Sequence, residues 1–231
     1  MNKTVDSKHV GQLVVGLIIC GLITGCATTE THQAVVTQKV ASAGTVYHGP
    51  KSTLVIGNFA NKSNYMRGLF SDGTDRLGSQ SRTILMTHLQ QTGRFKMVDR
   101  ANMEAIQREA KIQGKTQKLK GANYAVTGQV TGFGRKVVGD RELFGILGSG
   151  KKQVAYATVA LNIVDVLSSE VVFSAQGAGE YALSNREVLG FGGTASYDST
   201  LNGKVLDLAI REAVNRLVEG VESGAWTPSK D

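Results

Sequence analysis

Cysteine, proline and tryptophan are what this chain has least of: two, two and one among 231 residues. Each scarcity removes a class of protein. Two cysteines and four histidines leave no material for a disulfide framework or a zinc cage. Aromatic residues make up 6% and charged residues 19%, too few for a coiled coil or a disordered polyelectrolyte. No His-Glu-x-x-His, Gly-x-Ser-x-Gly or Cys-x-x-Cys motif occurs, so the commonest hydrolase and redox signatures are missing. The longest apolar run, Leu13–Ile23, falls well short of the ~20 residues a membrane-spanning helix needs. What remains is one domain of ordinary size, with a formal charge of +7 and 28 glycines.

That apolar run has a specific context. Lys3 and Lys8 precede it, and Ile23-Thr24-Gly25-Cys26 ends it. A basic region, an apolar core and a small-residue cleavage site form a secretory signal. Its ending resembles a bacterial lipobox, which implies a signal over residues 1–25, cleavage before Cys26 and lipidation of that thiol. Ala27 rather than Asp follows, which by the sorting rule for such lipoproteins directs the chain to the outer membrane. Residues 26–50 have no sustained period and are expected to form a tether.

Order is expected from residue 51 to 226, with 227–231 as a tail. Thr53–Phe59 has the β-branched character of a buried strand. The polar stretch Asn61–Gly78 is long for a connection inside a domain. Ser79–Gln91 reads as a helix closed by Gly93, and Phe95–Val98 as a short strand. Asp99 is placed to cap a further helix carrying Met103, Ile106 and Ala110 on one face. Lys111, Lys115, Lys118 and Lys120 follow without interleaved aromatics, so a solvated or lipid-headgroup-facing surface is expected and nucleic acid is not. Fourteen of the glycines fall in residues 121–203, where strand-like runs take over, and Val205–Val218 returns to helical spacing. Short strands packed with helices make the fold α+β.

Two inserts, at about 128–166 and 171–198, carry the most information. From Val171 the odd positions include Phe173, Ala175, Tyr181, Leu189, Phe191 and Tyr197, and the even ones Ser174, Gln176, Glu180, Thr194, Ser196 and Asp198. One face is apolar, the other small and polar, with a turn expected at Ser184–Glu187. Each arm exceeds the ~9–11 residues of a tilted transmembrane strand. A soluble hairpin packed on helices has the same period, and both readings stay open here. Glycine, which weakens an ordinary strand, counts for the membrane. In the first insert Arg135 and Lys136 are adjacent, so they point to opposite faces and must lie at a membrane rim.

The remaining motifs are decoys. Gly145–Lys152 imitates a phosphate loop, and Gly177–Ala182 a dinucleotide fingerprint. Strand-like sequence follows each, where the chemistry needs a helix N-terminus. Glu142, Glu180 and Glu187 have nothing to fix their separation, and His88 is expected on a helix surface or half-buried. No catalytic group, metal or cofactor is expected.

Taken in order, several stretches resemble the CsgG family of outer-membrane lipoproteins, the curli secretion channels. They are Ile-Thr-Gly-Cys26 with its tether, Leu54–Phe59, Gly93–Arg100, Gly121–Phe133, Val159–Val166 and Val221–Trp226. The resemblance implies a periplasmic mixed sheet-and-helix domain that assembles into a roughly nine-fold homo-oligomeric ring. Each copy would lend two long β-hairpins to a shared transmembrane barrel that exports an unfolded polypeptide, with periplasmic accessory proteins as further partners. It also implies that Asn61–Gly78 narrows the pore, with Tyr65, Phe70, Asp72 and Asp75 as candidates. Here that stretch lacks the family's aromatic and Asn-Phe pattern. On the barrel reading, Phe173, Tyr181, Leu189, Phe191 and Tyr197 face lipid. Ser174, Gln176, Glu180, Thr194, Ser196 and Asp198 then face the lumen. The alternative is a periplasmic scaffold without a pore, such as an LpoB-like activator of peptidoglycan synthesis or a structural ring component. A hydrolase ranks last, for want of a nucleophile and base.

Overall fold

The computed structural model describes residues 37–65, 74–141, 149–186 and 200–228. The β-branched run after Ser52 forms β1 (Thr53–Asn61), followed by α1 (Arg76–Gln91), β2 (Lys96–Val98) and α2 (Met103–Ile112). Then come β3 (Tyr124–Arg141), β4 (Ser149–Asp165), β5 (Val171–Arg186) and α3 (Thr200–Glu222). The fold is α+β. One sheet runs β2-β1-β3-β4-β5, with β1 parallel to β2 and β3 and the other pairs antiparallel. Met97, Leu54, Tyr124 and Asp165 share one rung across four of its strands.

Helix α3 lies against β4 and β5, and α1 lies against β1 and α3. Val205, Leu206, Ala209, Ile210, Ala213, Val214 and Leu217 recur at three- and four-residue spacing, and each is fully buried. They meet Leu54, Val126, Val130, Val159, Leu161 and Ile163 from the sheet, and Leu85 and Leu89 from α1. Each such Leu or Ile contributes roughly 1.5–3 kcal/mol of burial. No helix among the described residues is long and apolar enough to cross a membrane.

Helix α1 starts three residues before the expected Ser79, because Asp75 accepts from the Gly78 N–H at 2.7 Å and caps it. His88 is fully buried rather than half-buried or at the helix surface, and its Nε2 lies 2.9 Å from Asp207 Oδ1 on α3. Asp99 accepts from the Ala101 and Asn102 N–H groups ahead of α2. These bonds, the Asn102 side chain's foremost, hold the Asp99 carboxyl below its usual range. Helix α2 itself buries no residue.

Two expected boundaries are corrected. The tether does not extend to residue 50, since the folded unit begins at Gln38. Val40 is buried in the core, and the Ala41 N–H donates to Asn215 Oδ1 at 3.0 Å. Nor does the chain turn as expected from Ser184, because β5 stays paired with β4 as far as Arg186 opposite Gly150.

The glycines of β5 have a different role from the one expected. A Cβ at Gly177 would sit 2.1 Å from the Ala209 carbonyl oxygen and 2.4 Å from the Ala213 nitrogen. One at Gly179 would lie 2.9 Å from Leu208 Cγ. Glycine here lets the α3 backbone touch the strand, so these positions mark a helix-covered face.

Candidate functional site at the base of the strand overhang

Strand β1 ends at Asn61, opposite Val130. After a bulge between Val130 and Gly132, β3 and β4 continue for ten more rungs, from Gly132–Thr158 to Arg141–Ser149. Strand β5 follows alongside to Arg186. This overhang is roughly 33 Å long at the rise of a β-strand, and its first rungs still belong to the core, where Phe133, Ala155 and Ala157 are buried.

Its base is tied down by side chains from three elements. Tyr65 packs on Phe133 with ring centroids 4.6 Å apart. The Asn202 Nδ2 donates to Tyr65 Oη at 2.8 Å, and Arg135 Nε donates to Asn202 Oδ1 at 3.0 Å. On the opposite face, Lys136 Nζ pairs with Glu180 Oε1 at 3.1 Å. The adjacent cations therefore do point to opposite faces, and each meets a partner within the subunit.

The expected pore-loop residues divide. Tyr65 stands at the overhang base. Asp75 caps α1, and its second oxygen accepts from the Asn61 N–H at 2.8 Å. Phe70 and Asp72 lie outside the described residues.

The expected faces of the second insert also divide. Phe173 does not face lipid. It packs on the core and stacks on Trp226 at 6.3 Å, with its ring where a Gly220 Cβ would be. The reason is α3, which covers the odd-numbered face of β5 from Phe173 to Gly179. Tyr181, just past that cover, is 39% exposed with Lys204 Nζ 5.5 Å from its ring centre. Ser174, Gln176 and Glu180 are exposed on the sheet face away from α3, where Ser174 Oγ donates to Asn162 Oδ1 at 2.7 Å. Cys26, Leu189, Phe191, Thr194, Ser196, Tyr197 and Asp198 lie outside the described residues.

A second polar cluster fastens the N-terminal segment. Arg94, 4% exposed, donates from Nη1 to the carbonyls of Ser42, Thr45 and Thr92. Its Nε and Nη2 meet Glu222 Oε1 at 3.0 and 2.5 Å, and its guanidinium lies over the Tyr47 ring at 5.2 Å. Burial pushes the Tyr47 hydroxyl up from its usual range, against the lowering effect of Arg94. Arg94 falls in the Gly93–Arg100 stretch, but its role there, like that of Asn202, has no local sequence signal, because its partners Ser42 and Glu222 and Asn202's partner Arg135 are more than fifty residues away in the chain.

The model of the family described as "Curli production assembly/transport component CsgG" matches residues 36–230. The chain belongs to the CsgG family. It is 60% identical over 223 residues to "Putative lipoprotein NMB1126/NMB1164" of Neisseria meningitidis serogroup B, covering 96% of this chain and all of that one. Among solved structures it is similar to a PelC dodecamer from Paraburkholderia phytofirmans, at 16% identity and a TM-score of 0.35. That match covers 73% of this chain and 93% of the other. Another is the LpoB C-terminal domain from Salmonella enterica, at 14% identity and a TM-score of 0.30, over 59% of this chain and 86% of that one. Within the CsgG family frame, the start of the matched region at residue 36 agrees with the folded unit's beginning at Gln38.

Proposed function

We propose that this CsgG-family chain is a lipid-anchored subunit of a ring-shaped outer-membrane channel that passes an unfolded polypeptide without catalysis of its own. The observation that carries this reading is the ten-rung overhang. Its core residues, Phe133, Ala155 and Ala157, lie near its base, it continues beyond them to Arg141 and Ser149, and it brings two charged residues to a paired collar at that base.

The path of the N-terminal segment supports the same orientation. Ser42 and Thr45 sit at the Arg94–Glu222 end of α3, Ala41 at Asn215 and Gln38 at Arg211. Followed backwards, the segment climbs α3 towards its start, where Asn202 meets the overhang. From Arg211 to Asn202 is about 14 Å along a helix. The folded unit's N-terminal residue, Gln38, is therefore turned towards the overhang end of α3.

With Phe173 inside the domain, the spanning arms are shorter than the inserts first drawn. We place them at 137–153, above the collar, and 182–199, beyond the α3 cover. With two residues for each turn, each span leaves two arms of about seven or eight residues, just below the ~9–11 of a tilted strand. Leu189, Phe191 and Tyr197 remain the lipid-facing candidates and Thr194, Ser196 and Asp198 the luminal ones, with Ser174, Gln176 and Glu180 below them.

The test is a single cysteine at the hairpin midpoint, Gly145→Cys, in a mature chain whose own Cys26 thiol is acylated. A membrane-impermeant maleimide should label it on intact cells. Labelling that requires prior opening of the outer membrane would place the tip in the periplasm and favour the scaffold reading.

A further inference from the structure

Residues 100–120, including α2, are nearly all exposed and carry six basic against two acidic side chains. Ile106, Ile112 and Leu119 stand among them at 42%, 72% and 54% exposure. An amphipathic helix that buries nothing gains little from tertiary packing, the usual source of helix stability. It leaves from the end of β2, one edge of the sheet.

The other edge carries the complement. Residues 153–185 contain no Lys or Arg at all, and of their three acids Glu180 is paired with Lys136, which leaves Asp165 and Glu170 at the β4–β5 turn. The β4–β5 turn at one end of this stretch exposes Val166, Leu167 and Val171 at 47%, 97% and 53%. It is rigidly built: Asp165 accepts from the N–H groups of Leu167 and Ser168 at 2.9 and 2.8 Å, and Ser169 takes a φ of 60°. Those bonds, Ser168's first, hold the Asp165 carboxyl below its usual range. Both patches sit at the same height, since the rung that begins at Met97 in β2 ends at Asp165.

We propose that neighbouring copies meet edge to edge, the basic α2 segment of one subunit receiving the acidic, aliphatic β4–β5 turn of the next. The two surfaces differ, so the contact is head-to-tail, the kind that closes into a ring rather than a two-fold dimer. Charge sets the register, and the exposed aliphatic side chains supply the buried centre. This inference rests on the ring reading above and names the surfaces that build it.

Sizing of the full lipidated protein in detergent tests it, with Trp226 fluorescence reporting the fold. Leu167→Arg, and separately Lys115→Glu with Lys118→Glu, should each convert the ring-sized peak to monomer. Combining all three should restore the ring, because opposite charges again face each other. A ring unaffected by Leu167→Arg, or a combination that stays monomeric, overturns the interface while leaving the ring intact as an idea. A wild-type protein that is itself monomeric overturns both.

Discussion

Gly177→Ala is expected to cost about 3 kcal/mol of folding stability or more, the top of the usual overpacking range. A single methyl group has this effect because the atoms in its way are backbone: the Ala209 oxygen at 2.1 Å and the Ala213 nitrogen at 2.4 Å. A side chain can rotate aside, but relief here means lifting α3 from β5 and opening the Val205–Leu217 seam. Gly132→Ala is the control. Its Cβ meets nothing closer than Thr158 Oγ1 at 3.4 Å, so a change within ~1 kcal/mol of neutral is expected, as restricting the unfolded chain offsets local cost. Urea denaturation followed by Trp226 fluorescence reads both. If Gly177→Ala matched the wild type, α3 would not lie on β5, and the lipid-facing reading of Phe173 would return.

Arg94→Ala should cost about 3 kcal/mol and free the N-terminal segment. The guanidinium holds three carbonyls and one carboxylate with a planar set of donors. Removing it strands those acceptors and opens a void beneath Tyr47. Glu222 is 45% exposed and recovers some hydration, which keeps the cost below that of a fully buried pair. Arg94→Lys should recover less than half of the loss, since an ammonium cannot span the same acceptors. The same denaturation series measures the stability, and limited proteolysis should show new cleavage between residues 38 and 47 in Arg94→Ala. Equal stability and equal protection would mean that Val40 and the bonds from Asn215 and Arg211 hold the segment without Arg94.

Much of the core was legible because its periods are local. β1, α1, β2, α2 and α3 follow from β-branched runs and three- or four-residue spacing, and α1 and α3 bury the faces that their sequence marks. The alternation in β5 was equally legible, but period two records only that one face is apolar. Whether lipid or α3 covers that face depends on residues thirty positions away. Gly177 and Gly179 misled for the same reason: a small residue weakens a strand only when nothing fills the space above it. The N-terminal segment escaped because it has no period, being held by side chain-to-backbone bonds from Arg94 and Asn215. Asp75 was visible as a loop carboxylate, yet its cap and its bond to Asn61 depend on where the chain returns.

The most direct measurement of the central claim is single-channel conductance in a planar bilayer, made on the detergent-purified lipidated protein and paired with sizing of the same sample. The account predicts a ring-sized particle with large, stable conductance, altered in size but not abolished by Gln176→Arg on the polar face. A monomer-sized protein that leaves the bilayer silent would contradict it, and would make the overhang a surface of a periplasmic scaffold.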